Sequence, residues 1–266
     1  MKKLFYILCC SFVVLFTACE EEEPSSPKID STNPFSVSAS KTVTFSPGNL
    51  QYHAANNEWR FAPNQFDYVG EDNANISDTY NGWIDLFGWG TGNNPTNNSD
   101  KNKDYSTFVD WGTNKIGNYA PNTWRTLTKD EWSYLCLERP NYDKLIGVGK
   151  VNGVIGLILL PDKWTCPSGI SFNSGFNDDS GTEYFKEYNN FNMSDWIKLE
   201  ASGAVFLPAA GFRYGNNVST VQYYGFYYSS DAENDIYPYY LNFSSREAYI
   251  DYSGRFYAYS VRLVRD

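Results

Sequence analysis

Histidine is nearly missing from this chain: His53 is the only one in 266 residues. Most nucleophile–base triads, zinc sites and proton shuttles draw on at least one imidazole, so that chemistry is largely excluded. His53 lies in Leu50-Gln51-Tyr52-His53-Ala54, which reads as a strand, and a structural or solvent-facing role is expected for it. Basic runs are missing too. Lysine and arginine total 21 against 31 acids, for a formal net charge of −10. Phosphate backbones are gripped by clustered Lys and Arg, so no nucleic-acid partner is expected. The five cysteines show no zinc spacing. Cys136 and Cys166 either pair in an oxidising compartment or remain as two buried free thiols. Asp100, Asp104 and Asp110 follow no metal-loop spacing and read as solvated loop acids. No metal or cofactor is expected. The one long apolar run, Leu4 to Phe16, is too short to span a bilayer comfortably.

Aromatic residues are what the chain has in excess. They make up 18% of it, with 22 tyrosines, and partly replace Leu, Ile and Met as core material. Eleven of those tyrosines crowd into Tyr223 to Asp266: Tyr223, Tyr224, Tyr227, Tyr228, Tyr237, Tyr239, Tyr240, Tyr249, Tyr252, Tyr257 and Tyr259. Asp231, Glu233, Asn234, Asp235, Asn242, Arg246, Asp251 and Arg255 lie between them. Tyrosine offers a large ring with a polar tip and few torsions to freeze, so binding surfaces combine it with small polar residues and Arg. An aromatic-rich β core is the competing reading.

Along the chain, Phe35 to Phe61 reads as strands. Val43 and Phe45 alternate with Thr42 and Thr44, and Leu50–Tyr52 and Trp59–Phe61 form a hairpin across Asn56-Asn57. Asn64 to Asn122 is irregular, rich in Asn, Gly and Asp, with Trp83, Phe87, Trp89 and Trp111 expected to pin it to the core. Thr128-Lys129-Asp130-Glu131 is a capping box, which predicts a helix to about Glu138, stopping before Pro140. A second helix is predicted from Ser194-Asp195 with Trp196 and Leu199 inward, ended by Gly203. Gly156–Pro161 and Ala204–Ala209 read as buried strands, and Ser260–Arg265 as a closing strand. With these strands and helices supplying a core, and Leu241, Phe243, Val261 and Leu263 joining it, many tyrosines should face outward. The class is α+β: two short helices, small antiparallel sheets and much irregular loop.

The first residues are similar to a bacterial lipoprotein leader. Met1-Lys2-Lys3, the apolar run and Phe16-Thr17-Ala18-Cys19 resemble a lipobox, which implies cleavage before Cys19 and its lipidation. An ordinary signal peptide cut nearby is the alternative. Glu20 to Glu23 form a self-repelling tether and resemble surface-export signals of Gram-negative lipoproteins. The expected organisation is a leader at 1–18, an acidic lipidated tether at 19–33 and one domain at 34–266. The place implied is the outer membrane, held by lipid and facing outward.

Three stretches resemble a family. Trp124 to Trp132 is similar to the helix entry of formylglycine-generating (sulfatase-modifying) enzymes and their non-catalytic relatives. Gly225-Phe226-Tyr227-Tyr228-Ser229-Ser230 looks like their Tyr-Trp-Ser-Ser strand, with Tyr228 where Trp is usual. Ser260 to Arg265 matches their closing strand. Phe35 to Asp266 looks most like lipoproteins carrying a Fibrobacter major paralogous domain, which implies a C-type lectin-like fold. No cysteine follows Cys166, so the paired active cysteines of the formylglycine-generating enzymes have no counterpart. The Glu-Pro-Asn, Gln-Pro-Asp and Trp-Asn-Asp motifs of calcium-dependent lectins are absent too. The Tyr/Asn/Asp/Ser alternation before Val261-Arg262-Leu263-Val264-Arg265 resembles the variable region of diversity-generating retroelement targets. Asn234, Asp235, Ile236, Tyr237, Tyr239, Tyr240, Asn242, Tyr249, Asp251, Tyr252, Tyr257 and Tyr259 fit the output of adenine-directed mutation.

The leading expectation is a non-catalytic, surface-anchored binding protein for a protein or glycan ligand. Its site would draw on Tyr228, Asp231, Asn234, Asp235, Tyr237, Tyr239, Tyr240, Asn242, Arg246, Tyr249, Asp251, Tyr252, Arg255, Tyr257 and Tyr259. A structural role in the cell envelope is one alternative. Another is a glycan-acting hydrolase using Asp178, Asp179 and Glu183 as paired carboxylates.

Overall fold

The structure, a computed structural model, describes residues 33–176 and 189–266. The leader, Cys19, the tether and the carboxylates Asp178, Asp179 and Glu183 lie outside the described residues. The chain runs through β1 (Phe35–Ser36), β2 (Thr42–Phe45), β3 (Leu50–His53), β4 (Glu58–Phe61), β5 (Trp83–Ile84) and β6 (Phe87–Gly88). Then come α1 (Lys129–Ser133), β7 (Ile146–Val151), β8 (Val154–Leu159), β9 (Asn190–Phe191), α2 (Met193–Ala201) and β10 (Val205–Pro208). The last third holds β11 (Phe212–Tyr214), β12 (Asn217–Ser219), β13 (Gly225–Glu233), β14 (Tyr237–Phe243), β15 (Ala248–Tyr252), β16 (Tyr257–Tyr259) and β17 (Val264–Arg265). The fold is mixed α+β. Its strands form small sheets ordered β1-β2-β17, β4-β3-β5, β10-β8-β7-β9, β12-β11-β16-β6 and β13-β14-β15. Apart from the parallel pair β7–β9, the named strands pair antiparallel. No helix among the described residues is long and apolar enough to cross a membrane.

Local chemistry sets several elements as expected. Val43 and Phe45 are buried while Thr42 is exposed, and β3 and β4 pair across the predicted turn. Thr128 Oγ1 accepts the Glu131 N–H, and the Glu131 carboxylate accepts the Thr128 N–H, closing the capping box; such a cap contributes about 1 kcal/mol. The helix passes into a π-helical turn, Tyr134–Glu138, and ends before Pro140. Trp196 and Leu199 face inward on α2, and Gly203 follows it with φ +96°.

Other expectations need correction. α2 is capped by Asn192, whose Oδ1 accepts the Asp195 N–H, so it starts before Ser194. Strand β7 was hidden because Gly147 and Gly149 dilute its apolar pattern. A Cβ on Gly149 would lie 2.6 Å from the Asn189 carbonyl oxygen, so only glycine lets that backbone approach. The closing segment is a strand only over Val264–Arg265. Before that it changes partner every residue or two: Ser260 pairs with β13, Val261 accepts from Leu50, and Leu263 accepts from Ser46. No continuous ladder can form on such a path. Cys136 and Cys166 are both free, one buried and one exposed, so they form neither a disulfide nor two buried thiols.

The irregular region is pinned by polar clamps as well as rings. Trp89 is buried and Trp111 and Phe87 are fully so, whereas Trp83 stays half-exposed under the Arg60 guanidinium, 3.6 Å from its ring centre. His53 meets the Trp83 ring edge-on at 5.2 Å, a packing role. Asp110, expected to be a solvated acid, instead accepts from the Gly112 and Thr126 N–H groups and the Thr126 hydroxyl. Asp85 is fully buried and accepts from Asn73 Nδ2 and the Val69 N–H, each at 2.8 Å. Asn73 Oδ1 in return accepts the N–H groups of Asp85 and Leu86.

Burial outweighs these bonds and pushes the Asp85 carboxyl up from 3.8 to about 6. The folded chain therefore holds this proton more tightly than the unfolded chain does. The stability contributed is full below about pH 4 and declines as pH rises through about 6. Asp85→Asn removes this titration and turns one acceptor into a donor facing an N–H. Urea unfolding at pH 4, 5, 6 and 7 should show the advantage of the wild type over the variant shrinking with pH, by about 2–3 kcal/mol in all. A constant difference would contradict this.

Candidate functional site

Two tryptophans and a bulge shape the C-terminal sheet. The β13–β14 register slips between Tyr228 and Ala232, and a bulge frees backbone groups and re-aims side chains. Trp132 Nε1 donates to the Tyr228 carbonyl and Trp89 Nε1 to the Ser229 carbonyl, at 3.2 and 3.0 Å. The Ser230 N–H donates to the Leu127 carbonyl. The Tyr228-Ser229-Ser230 stretch thus joins β13 to α1, to the segment before it and to the irregular region. At the far end, Asn234 and Asp235 have φ of 51° and 58°. This left-handed pair, which Asn and Asp tolerate, makes the tight turn into β14.

Directly opposed residues share a face. Tyr227, Leu241 and Ile250 form one row, and Tyr228, Tyr240 and Asp251 the next, on the other face. The first face packs on the main core with Trp132, Leu135 and Leu157. The second packs against Trp111, Tyr259 and Val261. Both faces of the inner half are therefore covered, which corrects the expectation of display for four residues. Tyr228, Tyr240, Asn242 and Tyr259 are buried. Alternation predicts which face a side chain takes, but whether that face is open depends on the elements packed upon it. Burial pushes the Tyr240 hydroxyl up to about 12, and it raises those of Tyr228 and Tyr259 as well.

The remaining candidates separate into groups. Asp231, Asp235 and Arg255 line one cleft of about 410 Å³, together with Trp89, Phe108 and Ser230. Next to it, Tyr237, Tyr239 and Tyr252 cluster at the hairpin end, with ring centroids 6.2 Å apart for Tyr237–Tyr252 and 5.7 Å for Tyr239–Tyr252. Asn234 lies exposed in the turn between β13 and β14. The Tyr239 hydroxyl donates to Glu233, which is the main reason it is pushed up to about 12. Lys129 Nζ lies 4.5 Å from the Tyr239 ring centre, and its backbone N–H donates to Asp231 Oδ2 at 2.6 Å. On the opposite face Tyr249 is exposed and Asp251 half-buried, with the Tyr249 hydroxyl accepting from Asn242 Nδ2. Tyr257 is half-buried and stacks on Tyr259 at 6.1 Å. Arg246 lies exposed between β14 and β15.

No signal in the sequence marks Phe108, and Trp89 reads there only as a loop anchor. Both are far from the C-terminal stretch in sequence, and no spacing joins them to it. A larger hollow of about 490 Å³, lined by Phe66, Val69, Glu71, Asn152 and Val221 among others, takes in none of the predicted residues. No group of three or more His, Cys, Asp or Glu side chains that could hold a metal occurs among the described residues.

No family model, characterised protein or solved structure matches the chain.

Proposed function

We propose that this chain is a non-catalytic binding protein, held at the outer membrane by a lipid on Cys19 and turned outward. In this reading the domain from residue 34 onward has a C-type lectin-like fold related to the Fibrobacter major paralogous group. Two short helices, small antiparallel sheets and a long irregular region support that assignment. The ligand is a protein or glycan at the cell surface, and no nucleic acid is involved.

One observation carries the binding reading. Of the eleven large hydrophobic side chains exposed among the described residues, seven fall in one short part of the chain: Tyr214, Tyr223, Tyr224, Ile236, Tyr237, Tyr249 and Tyr252. Among them Tyr237 and Tyr252 also meet in space, their ring centroids 6.2 Å apart, and exposed apolar groups that cluster mark interaction sites. Tyr237 and Tyr252 are 42% and 53% exposed, so removing them leaves the core intact.

The test is binding of the purified chain to a glycan array and to a displayed-peptide library, for wild type and for Tyr237→Ala/Tyr252→Ala. At about 1 kcal/mol or more per ring engaged, the double variant should bind its selected ligand roughly thirtyfold more weakly. Its unfolding midpoint should stay unchanged. Undiminished binding would refute this part of the site.

A further inference from the structure

The cleft beside the hairpin carries charges of both signs that do not neutralise each other. Arg255 is fixed in its wall. Its Nη1 donates to the Tyr105 and Ser106 carbonyls at 3.1 and 3.2 Å, its backbone N–H donates to Asn102 Oδ1, and its guanidinium lies 5.4 Å from the Trp89 ring centre. Among the described residues it forms no ion pair with Asp231 or Asp235, although all three line the same cleft. Asp231 uses Oδ2 for the Lys129 N–H, which leaves Oδ1 to accept another bond. Asp235 is exposed in the turn. The Ser230 side chain adds a hydroxyl, and Phe108 an apolar wall.

These groups narrow the ligand class. A simple anion would face two carboxylates, and a simple cation would face a guanidinium held in place by its carbonyl partners. A sugar stacking on an open ring finds none at Trp89, which is 5% exposed and packed by Phe108 at 4.9 Å and by Arg255. A small body carrying both charges matches every pole. The volume of about 410 Å³ lies within the range of small-molecule sites.

We infer that this cleft binds a zwitterionic ligand of amino-acid to dipeptide size, its carboxylate on Arg255, its ammonium on Asp231 and Asp235, and its apolar part against Phe108. The inference deepens the binding reading above and rests on it, since these three charged residues belong to the same proposed site. Fixed, pre-oriented charges lower the ordering needed on binding. The ligand's two charges each replace water with a charge-assisted hydrogen bond.

The probe is the dipeptide Ala-Phe, titrated into the purified chain by calorimetry, with N-acetyl-Ala-Phe, Ala-Phe-amide and a neutral trisaccharide as comparisons. Saturable binding of Ala-Phe is expected, with each blocked form at least tenfold weaker. Asp235→Asn should weaken Ala-Phe tenfold. Asparagine keeps the left-handed turn, so this variant should fold as the wild type does. It should also narrow the preference for the free amine over the acetylated form. Arg255→Lys should weaken Ala-Phe while narrowing its advantage over the amide. Equal binding of the blocked forms, binding of the trisaccharide alone, an unaltered Asp235→Asn affinity, or no saturation up to about 10 mM would each overturn the inference. Failure here with the tyrosine-dependent binding intact removes only the zwitterion site. Loss of tyrosine dependence with dipeptide binding intact removes only the tyrosine face.

Discussion

Gly112→Ala is expected to destabilise the chain by about 3 kcal/mol or more, at the upper end for an overpacked site. A Cβ on Gly112 would lie 1.8 Å from the Trp124 carbonyl oxygen and 2.6 Å from its carbon. Both are backbone atoms, so no side-chain rotation relieves the clash. The Gly112 carbonyl also accepts the Asn122 N–H at 2.7 Å, and its own N–H donates to Asp110. Moving the two segments apart therefore breaks the clamp that closes the irregular region. Trp111 is next in line. It is fully buried, stacks on Tyr228 at 6.0 Å and meets Phe108 at 5.8 Å. The disturbance should travel to the cleft wall, so the variant should lose dipeptide binding as well as stability. Gly117→Ala is the control. Gly117 has φ +53° with nothing near its missing Cβ, so the change should cost only the left-handed backbone strain of about 1–2 kcal/mol. Urea midpoints of the two variants decide it, and equal losses would contradict the packing argument.

The second large effect is expected at Arg262. This side chain is 1% exposed. Its Nη2 donates to Gln65 Oε1 at 2.6 Å and its Nη1 to Asn49 Oδ1 at 3.4 Å. Gln65 Oε1 also accepts the Phe206 N–H, while Gln65 Nε2 donates to Glu200 Oε1 and the Ala204 carbonyl. Asn49 donates to the Tyr227 hydroxyl, which donates on to the Pro208 carbonyl. One guanidinium thus ties the closing segment to β10, α2 and β13. Burial lowers its pKa to about 10, so it stays charged at neutral pH. Arg262→Ala leaves a large void and strips a donor from each amide oxygen, which should cost on the order of 3–5 kcal/mol. Arg262→Met keeps most of the volume and should lose less. Lysine should rescue poorly, because one ammonium cannot reproduce the planar fork. If the alanine variant unfolds within about 1 kcal/mol of wild type, the network contributes little and the closing segment is held by its apolar neighbours alone.

Cleft and network are both assembled from residues that are distant in sequence, and that explains what could be read in advance. The capping box at Thr128, the inward pair Trp196 and Leu199, and the Thr42–Phe45 alternation are local patterns. Each depends on contacts within a turn or a strand, so the residue order reveals them. Tyr240 and Asn242 show the limit. Their alternation with Leu241 correctly puts them on the opposite face, yet that face is covered by Trp111 and β16. Nothing in their neighbourhood in the sequence announces the cover. Asp110 misleads in the same way: in sequence it looks like a loop acid, and in space it accepts the Gly112 and Thr126 N–H groups and the Thr126 hydroxyl.

The sequence by itself determined the class α+β, the single imidazole, the acidic balance, both helices and the crowding of tyrosine near the C-terminus. These follow from composition and from short-range periodicity, which survive without a fold. Only the tertiary structure decided which tyrosines are core and which are surface, that Cys136 and Cys166 stay apart, and that Trp89 and Phe108 join Asp231, Asp235 and Arg255 around one cleft. Those outcomes depend on which elements pack together. That packing is settled by burying apolar area and satisfying backbone donors over the whole chain at once, so no single stretch of residues encodes it.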